Sequence, residues 1–164
     1  MDTFFNPFST GKAYAHAFRI LLRSFNSSKI TLNKQDFSLC IPLLSMGGFA
    51  CELFLKYLAN QDYKTHKLYS VLYKGLNKEW QDNIESFCID AMKSKKSMQE
   101  YDHDQFTNDF LTVDKVFEEF RYMHETPKGI EQKVYNLDFL EVLVCILEGL
   151  CTAKHEESIN ISII

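Results

Sequence analysis

IPLLSMGGFACELFLKYL, residues Ile41 to Leu58, places apolar side chains on almost every side of a helix. A helix of that kind is buried on most of its surface. Pro42 is compatible with it, because a first-turn proline gives up an N–H that has no helical partner. Gly47 and Gly48 sit in its middle, each about 1 kcal/mol worse than Ala for helix propensity. The compensation expected is close approach of another helix or chain. Only two charges lie between Pro42 and Asn60, and these are Glu52 and Lys56. They are four apart and share a face. Leaving either one buried and unpaired costs several kcal/mol. They are therefore expected to pair with each other or with a distant partner.

The rest of the chain supplies helices to surround this one. Ser9 and Thr10 are candidate N-caps for a helix over about 11–25, with the stripe Tyr14, Phe18, Leu21, Leu22 and Phe25. Residues 26–35 read as a loop. His66 leads into a short helix over 67–76. Asn77 is placed to cap a fourth helix, with Trp80, Ile84, Phe87, Cys88 and Ala91 as its stripe. Residues 97–107 read as a polar loop, followed by a fifth helix over about 108–124 carrying Phe110, Val113, Phe117 and Phe120. Asn136 is placed to cap a last helix reaching about Ala153, with the stripe Leu137, Leu140, Val144, Leu147 and Cys151. The tail from 154 reads as loose, with Ile159, Ile161, Ile163 and Ile164 available for an edge strand. The expectation is an all-α, single-domain bundle of five to six helices over 1–164, its core at about 11–153.

Composition agrees with that class. In 164 residues there are 6 Gly and 3 Pro, too few for the frequent turns of an all-β fold, and 46% of residues are hydrophobic. The net charge of -4 argues against a generic nucleic-acid coat and leaves a local basic site open. No apolar run reads as long enough to cross a membrane. Leu137–Leu150, the best candidate, is interrupted by Asp138, Glu141 and Glu148. The N-terminus lacks a signal-peptide layout, so a cytoplasmic protein without membrane contact is expected. The five cysteines form no C-x-x-C pair and lie mostly in apolar runs, where a thiol behaves as a small hydrophobe.

Few residues suggest chemistry. Arg121 is suited to a phosphate, and equally to Glu118, Glu125 or Glu52 as an ion-pair partner. His124 titrates near the range of a general acid and also suits a helix end. His66 suits a catalytic role, and equally a hydrogen bond that caps the start of the 67–76 helix. Asp102, His103 and Asp104 lack a second ligand group at metal-site spacing, and no metal or cofactor is expected. Asp138, Glu141 and Glu148 read as a solvated helix face, as do Lys93, Lys95 and Lys96 at a helix end. There is no phosphate loop, dinucleotide fingerprint or G-x-S-x-G.

Three segments together resemble the HEPN superfamily of small helical domains. Glu52-Leu53-Phe54-Leu55-Lys56 is similar to its buried E-x-x-L-K helix. His66-Lys67-Leu68 is similar to its H-x-L turn. Phe120-Arg121-Tyr122-Met123-His124-Glu125 is similar to the F-R-Y-x-x-E segment of many bacterial members. The resemblance implies a helical bundle, frequent homodimerisation, and a link to RNA in toxin–antitoxin and defence systems. It points to Glu52, Lys56, His66, Arg121, Tyr122 and Glu125 as binding residues. Catalytic members are metal-independent ribonucleases with Arg followed four to six residues later by His. None of this chain's three arginines, Arg19, Arg23 and Arg121, has that spacing. Arg121 and His124 are three apart, on one side of a helix. A non-catalytic module binding RNA, a nucleotide or a protein partner is the first expectation. A ribonuclease using Arg121 and His124 is the second, and a purely structural dimerisation domain the third.

Overall fold

The structure is a computed structural model that describes residues 6–28, 39–61, 63–96, 100–121 and 135–161. Among them are six α-helices and one π-helical turn, with no strand. The order is α1 (Pro7–Ser28), α2 (Cys40–Ala59), the π-turn (Leu68–Tyr73), α3 (Lys78–Lys96), α4 (His103–Val113), α5 (Val116–Arg121) and α6 (Leu137–Ile161). They form one up-and-down bundle.

α2 is the axis of the bundle, as its apolar sequence requires. It packs most extensively on α1 and also against α5, α6 and the π-turn. Leu43, Leu44, Ala50, Cys51, Phe54, Leu55 and Leu58 are all buried. The two glycines serve the approach that the sequence called for. A Cβ on Gly47 would lie 2.9 Å from both Phe18 of α1 and Leu140 of α6. A Cβ on Gly48 would run into Val116 and come within 3.2 Å of the Phe117 nitrogen, so this glycine lets α5 close onto α2.

α2 also corrects one expectation. At 20 residues it is long and apolar enough, by length and composition, to cross a membrane. More than half of it is buried inside the bundle, as in the core helix of a packed domain.

Helix ends show where local chemistry overrode periodicity. α1 starts at Pro7, not Gly11, because Asn6 caps it: Asn6 Oδ1 accepts from the Phe8 N–H at 2.9 Å. The expected caps Ser9 and Thr10 lie inside the helix. Asn77 and Asn136 do cap α3 and α6, accepting from Trp80 N at 2.9 Å and Phe139 N at 3.2 Å. The loop expected up to residue 107 ends early. Asp102 and Gln105 form a reciprocal capping box, and α4 begins at His103. The single helix expected over 108–124 is broken at Asp114 and Lys115 into α4 and α5. The tail expected to be loose is helical to Ile161, and it is no edge strand as far as that residue.

α2 ends at Asn60, whose left-handed φ of 53° Asn tolerates. Lys154 of α6 donates to two carbonyls there, Tyr57 O at 2.9 Å and Leu58 O at 3.0 Å. A cation at a helix C-terminus is favourable, although burial lowers the Lys154 pKa.

Candidate functional site

Glu52 points into the bundle from α2 with 1% of its surface exposed. Both of its oxygens are engaged. Oε1 accepts from Lys56 Nζ at 2.8 Å, one helical turn away. Oε2 accepts from His66 Nδ1 at 2.7 Å. A carboxylate at this position only accepts, so Nδ1 carries the proton and the other ring nitrogen, Nε2, is not held by Glu52. The pairing of Glu52 with Lys56 follows the expectation from their spacing. His66 makes a structural hydrogen bond, as expected, but to Glu52 on α2 rather than as a cap of its own helix.

The cap of the π-turn comes from elsewhere. Asp114, at the α4–α5 junction and 8% exposed, accepts from the N–H groups of Tyr69 at 2.6 Å and Ser70 at 3.0 Å, and from Ser70 Oγ at 2.8 Å. Its own carbonyl accepts from Leu68 N at 2.8 Å. One buried residue thus ties the start of the π-turn, two positions after His66, to the start of α5. The turn itself is widened, with Leu72 N donating to Lys67 O and Lys74 N to Tyr69 O, each five residues back. Such widened turns are frequent at functional sites.

The same junction sets the rings beside the carboxylate. With α5 drawn in over Gly48, Phe117 stacks on Phe49 at 4.5 Å and 17°. The His66 ring lies 5.2 Å from Phe117 on one side. Tyr14 of α1 meets Phe49 edge-on at 4.6 Å on the other. Tyr14, Phe49 and His66 are half-buried, and Phe117 is buried. A row of four rings therefore runs from α1 to the Glu52 cluster. It offers faces for a planar group at one end and Lys56 and His66 for an anion or a hydrogen-bonding group at the other.

Of the residues singled out in the sequence, the fold brings Glu52, Lys56 and His66 together. Arg121 belongs to α5, one turn beyond Phe117, and its side chain lies outside what the structure describes. Tyr122, His124 and Glu125 lie outside the described residues. Glu52, one of the partners considered for Arg121, has both oxygens engaged by Lys56 and His66. Periodicity alone assigns Phe49 and Tyr14 to the core and leaves Asp114 inside a continuous helix over 108–124.

Other sequence candidates have structural partners. Asp102 caps α4, and His103 Nδ1 lies 2.5 Å from Glu85. The acidic row on α6 is not simply solvated: Glu148 pairs with Arg19 of α1, and Asp138 and Glu141 pair with Lys95 of α3. The same pairs withdraw Lys95 from the solvated helix end expected of it. Among the described residues no group of three His, Cys, Asp or Glu is placed to hold a metal. Cys51, Cys88 and Cys151 are core thiols, whereas Cys145 is exposed. No known family, curated protein or solved structure matches this chain.

Proposed function

We propose that this chain is a non-catalytic, HEPN-like binding module that acts as a homodimer and takes single-stranded RNA or a nucleotide against the Glu52–Lys56–His66 cluster. The observation that carries the reading is the Glu52 carboxylate, held between Lys56 and His66 at the end of a half-exposed row of rings. Two of the three segments that resemble HEPN domains contribute these residues, and they converge although fourteen positions separate Glu52 from His66. Buried ionised groups kept in a fold are candidates for function. In this reading the bases stack on Tyr14 and Phe49, the kind of contact that tolerates any sequence. Lys56 meets phosphate charge, and Arg121, Tyr122 and Glu125 are the further binding residues that the resemblance implies. A defence or toxin–antitoxin setting is the context the resemblance favours. Hydrolysis is not part of the proposal, because the Arg-to-His spacing of the ribonucleases is missing.

The test is fluorescence anisotropy with a labelled single-stranded RNA of mixed sequence. Wild-type protein is expected to bind, and Lys56→Met and Phe49→Ala each to weaken binding at least about tenfold, the scale of one lost stacking or charged contact. Binding unchanged in both folded variants would place the ligand elsewhere. Absence of binding by wild type, with RNA and with free nucleotides, would leave a protein-interaction domain.

A further inference from the structure

The hydrogen-bonding atoms of the Glu52 cluster narrow what the site can recognise. Glu52 is 1% exposed and has both oxygens engaged, so they are out of a ligand's reach. Lys56 carries donors only. His66 is different. Its Nδ1 donates to Glu52 Oε2 at 2.7 Å, which leaves Nε2 on the other side of the ring. Among the described residues Nε2 has no hydrogen-bond partner, and Thr107 Oγ1 is the one buried side-chain polar atom that lacks one. His66 Nε2 is therefore open to the surface, in a side chain that is 32% exposed. Of the three side chains in the cluster, His66 offers the one acceptor that a ligand can reach.

Two features fix that acceptor. The charge of Lys56 already balances Glu52, so a neutral His66 leaves the cluster without net charge. In the neutral ring, the proton on Nδ1 makes Nε2 an acceptor. The ring is also held in place. It lies 5.2 Å from the Phe117 ring, and Asp114 anchors Leu68, Tyr69 and Ser70 just beyond it. A group held in its binding orientation loses little freedom when a ligand arrives.

We infer that His66 Nε2 accepts from a ribose 2′-hydroxyl, so that the site takes RNA in preference to DNA. The inference rests on the functional reading and deepens it. In that arrangement the base stacks on Tyr14 and Phe49, and His66, at the far end of the ring row, meets the sugar–phosphate side of the nucleotide. Phosphate oxygens only accept, and they suit Lys56. In an internal nucleotide the 3′- and 5′-oxygens are esterified, so the 2′-hydroxyl is the one donor left on the backbone. It is also the group by which a protein tells RNA from DNA at a given position. A base amine is the competing donor for Nε2, and it is the same in both nucleic acids.

The experiment is fluorescence anisotropy with the full chain at a pH of about 8, above the ordinary histidine pKa of about 6.5. The probes are three short labelled single strands of one mixed sequence: RNA, DNA with uracil for thymine, and 2′-O-methyl RNA. The last keeps the RNA sugar geometry and lacks the donor. Wild type is expected to bind RNA about three- to tenfold more tightly than the other two, the scale of one neutral hydrogen bond. His66→Asn keeps an amide donor toward Glu52 and lacks the outward nitrogen. It is expected to stay folded by circular dichroism and to bind all three strands alike. His66→Gln, which places an amide acceptor near the outward position, is expected to recover part of the preference. Lys56→Met is expected to weaken all three strands by the same factor, because a phosphate contact does not see the 2′ position. Equal binding of the three strands by wild type would overturn the inference, leave the binding site standing and turn His66 toward a base amine. RNA preference retained in His66→Asn, or 2′-O-methyl RNA bound as tightly as RNA, would overturn it as well. Wild type that binds none of the strands would remove the site, and the inference with it.

Discussion

Removing both donors from Glu52 is the perturbation whose size the structure fixes best. In Lys56→Met/His66→Phe the carboxylate remains, about 1% exposed, with neither Lys56 nor His66 to hold it. Stripping the partner from a buried charge costs about 3–5 kcal/mol. For a chain of this size each kcal/mol shifts the melting temperature by about 2–4 °C. A fall on the order of 10 °C is therefore expected by calorimetry, with a matching drop in urea stability. The reverse deletion is milder. Glu52→Leu leaves Lys56 and His66, whose side chains are 15% and 32% exposed and reach water. Adding Glu52→Leu to the double variant is expected to restore most of the loss, since an apolar replacement of a whole buried cluster is often neutral. A double variant that loses less than about 1 kcal/mol, or a triple variant worse than the double, would refute the reasoning that the carboxylate is buried in its charged form.

Other outcomes follow from single contacts. Asp114→Ala removes three hydrogen bonds to a buried carboxylate and is expected to destabilise by about 3 kcal/mol in urea unfolding, more than any surface Asp→Ala. Gly48→Ala gains about 1 kcal/mol of helix propensity but forces α5 away from α2. A net loss of about 1–2 kcal/mol is expected, with weaker near-UV dichroism from the rings. Burial raises the pKa of the Tyr73, Tyr101 and Tyr135 phenols and of the Cys51, Cys88 and Cys151 thiols. Unfolded, these groups ionise near 9.0 for thiols and 10.0 for phenols. Raised folded values mean that the native state holds its protons longer. Stability is therefore full below about pH 9 and falls as pH rises beyond it, which denaturant titrations from pH 8 to 11 would register. Mixed single-stranded RNA and tRNA incubated with the protein in EDTA are expected to stay intact. Cleavage lost in both Arg121→Ala and His124→Ala would instead make the chain a ribonuclease.

The bundle was legible because α2 announces itself. An 18-residue apolar stretch with two charges reads as a buried axis, and its paired glycines mark where neighbours come close. The Glu52–Lys56 pair was legible from spacing alone. His66 was singled out, but its partner was not visible, because a contact across the 63–67 segment has no periodicity. Asp114 was hidden for a related reason. It breaks a helix without Gly or Pro, and what justifies the break is a set of donors on a turn 44 and 45 residues away. The ring row has no signature in the sequence, since stripe counting cannot separate a buried Phe from a half-buried one at a helix edge. Phe87 shows the same limit in reverse, expected inside and 46% exposed. The helical extension to Ile161 was missed because Glu156 to Asn160 is exposed on every side and shows no stripe.

The most direct measurement is histidine ring NMR of the wild-type protein, titrated with short single-stranded RNA and then with a nucleoside monophosphate. The expected result is a saturable shift of the His66 ring and of the Phe49 and Phe117 ring protons, absent in Lys56→Met. Shifts confined to His16 on α1, or no shift at His66 while RNA binds, would contradict the assignment of the binding site to the Glu52 cluster.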